Sequence, residues 1–282
     1  MKLTYGLEVE ACRLKPFWVD YAVTYGFDKK FDRTIRSLND ENLDPNNSGE
    51  LSTPVYEAFV NARLQVNTSA TEEKVRKLCE CLDRVNKTCG VHVHLGNPTD
   101  TGESKWTDEQ VKTWAVLGLM MEKRVLGLVP PSRRDNATCL LIAKAYDHSD
   151  FNKPDIIGEL RPRKYDNLKR YCWLNLTETK RVGTRRNRGY AASPALNTVE
   201  VRLLGNTRRY DYIMAWTKLW IACAGLVAQK SSSEAVLAYM SGALDSYFDT
   251  VKEAKTAPAN RNTRTGEPRF IERGKDYLFT TL

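Results

Sequence analysis

Three short segments of the chain each carry two ionisable residues that are two positions apart. The chain has three histidines in total, and two of them form one of these pairs. Because successive side chains of a β-strand point to opposite faces, the two members of each pair would share one face of a strand. The pairs are Glu8 and Glu10 in GLEVE, His92 and His94 in GVHVHL, and Glu200 and Arg202 in TVEVRL.

Side chains of these types could hold divalent cations if the three strands are neighbours. Paired strands lie about 4.8 Å apart, so three carboxylates and two imidazoles would then face a common point. Buried carboxylates repel one another, and a cluster of them usually implies cations bound between them. A ligand set rich in carboxylates with one or two histidines suits Mg²⁺ or Mn²⁺. Glu50, in the segment SGELSTP, is a further candidate ligand.

Two other interpretations of these residues remain open. Paired glutamates are common on the solvated face of an ordinary sheet, where they have no function. A zinc site is the second alternative, because three cysteines lie near the paired histidines in the sequence: Cys79, Cys81 and Cys89. Cys79 and Cys81 would point about 200° apart on a helix, which is poor geometry for joint ligation. We therefore expect these cysteines to be packing residues.

The periodicity of the sequence predicts the elements that position these residues. Alternating side-chain character predicts strands at 5–11, 49–53, 90–95, 171–176 and 197–204. Apolar spacing predicts a helix from about 210 to 228, whose Trp216 and Trp220 are expected to pack inward. Capping boxes predict three further helix starts, at Ser69 with Glu72, Thr107 with Gln110, and Ser231 with Glu234. The elements do not follow a βαβ order, which indicates an α+β fold with an antiparallel sheet.

Composition and length are typical of a globular protein. The 282 residues are 41% hydrophobic, which is enough for a sizeable core. No apolar segment approaches the roughly 18 residues of a membrane span, and the N-terminus lacks the apolar segment of a secretory signal. The seven cysteines are odd in number and scattered, which favours reduced thiols and a cytoplasmic location. We expect one catalytic domain at 1–254, followed by a polar, basic tail at 255–282.

The positive charge of the chain favours an anionic partner. Lys and Arg number 43 and Asp and Glu 35, which gives a formal net charge of +8. The excess is concentrated at 161–170, 181–189 and 260–270. These segments could face nucleotide phosphates or nucleic acid, or they could form a solvated basic exterior.

Taken in order, the segments resemble the amidoligase family. The blocks are GLEVE, DRTIRSL followed by ELSTP, CGVHVHLG, RYCWLNL and TVEVRLLGNT, the last followed by a helix containing tryptophan. They extend from residue 5 to about residue 220. The amidoligases belong with glutamine synthetase and glutamate-cysteine ligase among the carboxylate-amine ligases.

The resemblance implies a curved antiparallel sheet with flanking helices, like the catalytic domain of glutamine synthetase, that binds ATP with Mg²⁺ or Mn²⁺. The metal ligands that it implies are Glu8, Glu10, Glu50, His92 and Glu200. It implies catalytic roles for Arg202, which would stabilise the transferring phosphoryl group, and for His94. The residues near ATP or substrate would be Arg170, Asn175, Arg133 and Arg134.

The implied reaction is the ATP-dependent joining of a carboxylate substrate to an amine substrate through an acyl phosphate. Either substrate could belong to an anionic macromolecule, which would account for the basic segments; no membrane partner is expected. A metal-dependent phosphoester hydrolase or nuclease could use the same carboxylates. A basic nucleic-acid-binding protein without catalytic activity is the third hypothesis.

Overall fold

A computed structural model describes most of the chain. The described residues are 1–30, 35, 48–99, 105–134, 136–137, 139–146, 160, 171–176 and 197–257, together with the backbone of 269–273 and 276–280. Arg170 and the basic segments 161–170 and 181–189 lie outside these residues, as does most of 260–270.

An eight-stranded antiparallel sheet organises the described part of the chain. Its main path runs in the order β3-β4-β1-β8-β10-β9, and β5 pairs with both β1 and β6. The strands are β1 Lys2–Ala11, β3 Asp28–Lys30, β4 Gly49–Ser52, β5 Tyr56–Val60, β6 Val66–Asn67, β8 Gly90–Gly96, β9 Leu174–Asn175 and β10 Val199–Gly205. Two smaller sheets pair β2 Arg13–Leu14 with β7 Leu82–Arg84, and β11 Arg269–Arg273 with β12 Asp276–Thr280. The predicted α+β class with an antiparallel sheet is confirmed.

Seven helices accompany the sheet in the described residues. They are α1 Trp18–Tyr25, α2 Ser69–Glu80, α3 Asp108–Leu128, α4 Ile142–Ala145, α5 Tyr210–Gln229, α6 Ser232–Met240 and α7 Asp245–Thr256. A short 3₁₀ turn, Pro131–Arg133, follows α3. None of the helices in the described ranges has the length and apolar character needed to cross a membrane.

Helix α5 lies against the apolar face of the sheet and forms the centre of the core. It contacts β8, β1 and β5, and 15 of its 20 residues are buried. Trp216 and Trp220 are fully buried, with ring centroids 5.6 Å apart, so the prediction that they pack inward is confirmed. Leu7 and Val9 of β1 are buried in the same core. The ionisable residues of the sheet therefore lie on the face opposite α5.

Two of the three predicted capping boxes are present. Thr107 and Gln110 exchange backbone and side-chain hydrogen bonds before α3, and Ser231 and Glu234 do so before α6. The third prediction was wrong, because Ser69 is the first residue of α2 and not its cap.

Local hydrogen bonds explain the start of α2. Thr68 precedes the helix, and its hydroxyl donates to Glu72, the acid that the sequence assigned to Ser69. The backbone N–H and the hydroxyl of Ser69 both donate to Asn67 Oδ1. The competing side chain of Asn67 thus moves the helix start by one residue.

The predicted helix start at Ser231 opens the short helix α6, and a second helix, α7, follows it. Gly242 adopts a φ of 83° between them, a left-handed conformation that ends a helix and that glycine adopts without a steric penalty. Helix α7 then continues to Thr256, two residues beyond the predicted domain end at 254. The Arg209 guanidinium donates to backbone carbonyl oxygens at this end of α7, those of Ala254, Lys255 and Ala257.

Candidate metal site

The strand register brings the predicted ionisable pairs onto one surface. Opposite Glu8 of β1 lies His92 of β8, and opposite Glu10 of β1 lies Glu50 of β4. On the other side of β8, Glu200 of β10 lies opposite His94. We call the surface formed by Glu8, Glu10, Glu50, His92, His94 and Glu200 the charged face.

Two groups of candidate ligand atoms lie close together on the charged face. One consists of Glu8, His94 and Glu200, and the other of Glu8, Glu50 and His92; within each group the ligand atoms are within 4.8 Å of one another. Glu8 belongs to both groups. The resemblance implies that His92 binds metal and that His94 is catalytic, and the geometry places one histidine in each group.

The histidines lie between the carboxylates. His92 Nδ1 is 3.3 Å from both Glu8 Oε2 and Glu200 Oε1, and its Nε2 is 3.7 Å from Glu10 Oε1. His94 Nε2 is 3.3 Å from Glu8 Oε2, but this contact lacks hydrogen-bond geometry, and the atom is buried without a hydrogen-bond partner among the described residues. His94 Nδ1 lies 3.3 Å from the Thr198 hydroxyl, which can fix the ring orientation.

Two carboxylates of the charged face are strongly biased toward the ionised form. Burial alone would raise the pKa of Glu8, but the contacts with His92 and His94 outweigh it and hold the pKa far below its usual value. Burial would likewise raise the pKa of Glu200, but the charges of Arg202 and His94 lower it. Glu8 and Glu200 are therefore anionic at neutral pH, as metal ligands must be.

The other two shifted groups hold protons that a bound cation would displace. Burial and the nearby charge of Glu8 raise the pKa of Glu50 from 4.5 to about 7. Burial opposes protonation of His94, but contact with Glu8 and the charge of Glu200 raise its pKa from 6.5 to about 9. In the metal-free protein, protonation of Glu50 removes its negative charge and so relieves repulsion among the carboxylates, while His94 acts as a local counter-charge. His94 is protonated at neutral pH and cannot act as a general base.

Arg202 lies next to Glu200 at an irregularity in β10. Arg202 Nη1 donates to Glu200 Oε1 at 2.7 Å, and Arg202 Nε is buried without a hydrogen-bond partner among the described residues. Val201 pairs with Val93 and Leu204 with Val91, so two residues of β10 oppose one residue of β8. This β-bulge lies at Arg202, and bulges commonly redirect a side chain next to a functional site.

Two of the residues that the resemblance places near ATP or substrate, Asn175 and Arg133, contact Glu200 and Arg202. Asn175 is buried and its amide donates to Glu200 Oε2 at 2.7 Å. Arg133 is buried and donates to the backbone carbonyl of Arg202 at 2.8 Å. Arg134 is exposed and donates to the carbonyl of Val129, just after α3. Asn175 and Arg133 thus position Glu200 and Arg202, whereas the Arg134 guanidinium hydrogen-bonds at the end of α3.

Glu10 is held differently from the other carboxylates. It is 5% exposed, and its Oε2 accepts the backbone N–H of Gly90. The Asn206 amide donates to the backbone carbonyl of Glu10, and the Asn206 N–H donates to the carbonyl of Cys89. Glu10 belongs to neither close ligand group, so its predicted role as a metal ligand stays a prediction.

Sequence reasoning missed the residues that support the charged face from outside the paired strands. Lys30 Nζ lies 3.9 Å from Glu50 Oε1, and the Ser52 hydroxyl donates to the same carboxylate. Glu122 of α3 accepts hydrogen bonds from the indole N–H of Trp173 and from the backbone N–H of Ile142. Lys30 and Glu122 act through partners that are distant in the sequence, so no motif marks them, whereas Ser52 lies two positions after Glu50 within the ELSTP block.

The cysteine-containing zinc alternative is not supported by the described residues. The candidate ligand groups found there contain no cysteine. All seven cysteines are reduced thiols, and burial raises the pKa of Cys79 well above its usual range. Thiolate ligation at Cys79 is therefore unfavourable, in agreement with its expected packing role.

A cavity elsewhere on the surface does not coincide with the charged face. Its volume is about 340 Å³, and its lining includes Met1, Phe59 and Asn67, without any of the predicted site residues. No ionisable side chain lines it. This cavity therefore adds no candidate catalytic group to those of the charged face.

The donor set of the charged face fits a hard divalent cation. It combines carboxylate oxygens with two imidazoles, and the buried Nε2 of His94 has no hydrogen-bond partner among the described residues. Comparisons of the chain with protein-family models, curated proteins and solved structures find no match.

Proposed function

We propose that this protein is an ATP- and Mg²⁺-dependent carboxylate-amine ligase with a fold like the catalytic domain of glutamine synthetase. The observation that carries the proposal is the assembly of the charged face from β4, β1, β8 and β10, with Arg202 beside Glu200. These strands contain four of the sequence blocks that resemble the amidoligases. The reduced cysteines agree with a cytoplasmic enzyme.

The two ligand groups define which residues would hold the metal ions. Glu8, Glu50 and His92 would hold one ion, and Glu8, His94 and Glu200 the other. Bound Mg²⁺ or Mn²⁺ would neutralise charge on the phosphate oxygens of ATP. Glu8 and Glu200 supply the permanent negative charge for this binding, since their pKa values are lowered.

Arg202 would supply a fixed positive charge for the phosphoryl group that is transferred. Glu200 accepts one of its guanidinium hydrogen bonds, and the unpartnered Nε remains a donor. The backbone around Arg202 is also restrained, because its N–H donates to the carbonyl of Trp173 and its carbonyl accepts from Arg133. A donor positioned before the reaction stabilises developing charge without further reorganisation.

The proposed reaction joins the two substrates in two steps. The carboxylate substrate takes up the γ-phosphoryl group of ATP, which gives an acyl phosphate and ADP. The amine substrate then attacks the acyl carbon and releases phosphate, which is a far better leaving group than oxide. Either substrate could be part of an anionic macromolecule, as the net charge of +8 suggests.

A hydroxylamine assay tests the proposal before the natural substrates are known. Purified protein is incubated with ATP, Mg²⁺, hydroxylamine as a general amine and a panel of carboxylates that includes amino acids and acidic peptides. We expect ADP and a hydroxamate to form in equal amounts with at least one carboxylate. ATP-independent cleavage of phosphoesters or nucleic acid would favour the hydrolase instead.

Substitutions on the charged face link this activity to the site. Glu8→Gln and Glu200→Gln each remove a ligand charge and should lower both ADP formation and Mn²⁺ binding by about 100-fold or more. Glu57→Gln is the matched control, because Glu57 lies on the neighbouring β5, is 56% exposed and pairs with Lys2. Full activity in both Glu8→Gln and Glu200→Gln would contradict the assignment of the site.

A further inference from the structure

Two cysteines that are far apart in the sequence lie next to each other beside the charged face. Cys12 Sγ and Cys89 Sγ are 3.5 Å apart, although 77 positions separate the residues. Cys89 is fully buried, and Cys12 is partly exposed. Both are reduced thiols.

The backbone holds both cysteines at the ends of paired strands. Cys12 follows Ala11, the last residue of β1, and its N–H donates to the carbonyl of Arg84. Cys89 precedes Gly90, the first residue of β8, and its carbonyl accepts the N–H of Asn206. The two thiols are therefore neighbours because of the sheet register and not through a chance contact of mobile side chains.

We propose that Cys12 and Cys89 form a reversible redox site, at which a peroxide converts the two thiols into a disulfide. Hydrogen peroxide oxidises the Cys12 sulfur to a sulfenic acid and is reduced to water. The Cys89 sulfur then attacks the Cys12 sulfur, the S–S bond forms, and the sulfenic oxygen leaves as a second water. Two thiols and one peroxide thus give one disulfide and two waters.

The geometry suits this sequence of steps. Cys12 is the accessible member of the pair and can meet the peroxide, whereas Cys89 is buried against it and can resolve the sulfenic acid. A disulfide needs an S–S length of about 2.05 Å, so the sulfurs must approach by about 1.5 Å. Rotation of the two side chains with a small backbone adjustment can supply an approach of this size.

The disulfide would act on the residues that hold Glu10. Glu10 lies two positions before Cys12, and its carboxylate accepts the N–H of Gly90, which directly follows Cys89. The Asn206 side chain also donates to the carbonyl of Glu10. Bond formation between the sulfurs therefore pulls on both ends of this network. The displacement would reach the ligand group of His92, because His92 Nε2 lies 3.7 Å from Glu10 Oε1. If the proposed metal function is correct, the disulfide therefore weakens metal binding at the charged face.

Peroxide titration of the full-length protein tests the redox site. Treatment with about one equivalent of hydrogen peroxide should remove two hydrogen atoms from the intact mass and join the peptides that contain Cys12 and Cys89. Dithiothreitol should restore the original mass. Cys12→Ser should abolish the joined peptide, whereas Cys223→Ala, which removes a buried thiol of α5, should retain it.

Three outcomes would overturn the proposed redox site. They are a protein that stays reduced, a disulfide between other cysteines, and oxidation to sulfinic acid without a joined peptide. Cys89→Ser is a second variant, and it should also abolish the joined peptide. If Cys89→Ser does not fold, Cys12→Ser still provides the test, because Cys12 is partly exposed.

A separate measurement tests the coupling to the metal site. Mn²⁺ binding is compared between the oxidised protein, the same protein after reduction, and Cys12→Ser treated with peroxide. We expect oxidation to weaken binding by about tenfold and reduction to reverse the loss, with no change in Cys12→Ser. A disulfide that leaves Mn²⁺ affinity unchanged would overturn the coupling. A reduced protein that binds no Mn²⁺ would contradict the proposed function but would not affect the proposal of the redox site.

Discussion

At the scale of single residues, the charged face combines groups that gain protons on folding with groups that lose them. Glu8 and Glu200 have lowered pKa values because cationic neighbours outweigh the effect of burial. Burial and the charge of Glu8 raise the pKa of Glu50 to about 7, and the adjacent carboxylates raise that of His94 to about 9 despite burial. The metal-free folded protein therefore binds protons that the unfolded chain would release at neutral and alkaline pH.

This protonation predicts how the stability of the metal-free protein depends on pH. A raised pKa stabilises the fold below the unfolded value, and the contribution is lost as the pH rises through the folded value. For Glu50 this loss extends from 4.5 to about 7, and for His94 from 6.5 to about 9. We expect the free energy of unfolding, measured by urea denaturation in a chelator, to fall by a few kcal/mol between about pH 5 and about pH 9.

Addition of Mg²⁺ should reverse this loss, since a bound cation replaces the protons. The gain in the urea midpoint should be larger at about pH 9 than at about pH 6. Glu50→Gln should remove the part of the pH dependence that lies below about pH 7. A metal-free protein whose midpoint rises between about pH 6 and about pH 9 would contradict the expected protonation of Glu50 and His94.

At the scale of elements, alternation and apolar spacing predicted the strands and helices that carry the site. The pairs at 8 and 10, 92 and 94, and 200 and 202 lie on strands that pair directly, β1 with β8 and β8 with β10. The bulge at Arg202 could not be predicted, because an extra residue in one strand is visible only against its partner. The short strands β5 and β6 and helix α1 were also missed; α1 has only eight residues, and the residues that it packs against the core, such as Trp18 and Tyr25, are only partly buried.

Two glycines of α3 offer a matched test of element packing. A Cβ at Gly118 would lie 2.5 Å from Leu174 Cδ2 and 2.9 Å from Ile142 Cδ1, whereas a Cβ at the exposed Gly127 would meet nothing within 4 Å. Gly118→Ala should therefore lower the free energy of unfolding by about 1–3 kcal/mol. Gly127→Ala should raise it by about 0.5–1 kcal/mol, because alanine has the higher helix propensity.

Metal binding provides a second measurement for the same pair. Leu174 precedes Asn175, whose amide holds Glu200, so displacement of β9 by Gly118→Ala should also weaken Mn²⁺ binding. Gly127→Ala should leave Mn²⁺ binding unchanged. Equal stability of the two variants would show that α3 does not press on β9 as described.

At the scale of the whole molecule, one hydrophobic core extends from β1 to α7. It includes Leu3 near the N-terminus and Val251 in the last described helix. Tyr247 adds a polar link between distant segments, since its hydroxyl donates to the carbonyl of Leu64 and accepts the N–H of Val66. A core shared by all these elements favours unfolding in a single transition.

Tyr247→Phe tests this cooperativity. Loss of both hydrogen bonds should lower the free energy of unfolding by about 1–3 kcal/mol, and tryptophan fluorescence and far-ultraviolet circular dichroism should shift together. Tyr239→Phe on α6 is the control, because its hydroxyl makes no hydrogen bond with the described residues and should change little. Separate transitions for the two signals would indicate that α7 unfolds independently of the sheet.

Because Glu8 belongs to both ligand groups, substitutions at Glu8 cannot separate the effects of the two candidate ion positions. Any change at Glu8 alters both candidate ion positions at once, so a defect there cannot be assigned to either position. Glu50 and Glu200 each belong to one group, and substitutions at these two residues can distinguish the positions. During evolution, substitution of Glu50 or of Glu200 could therefore remove one candidate ion position and keep the other. Substitution of Glu8 could not, because it would affect both positions.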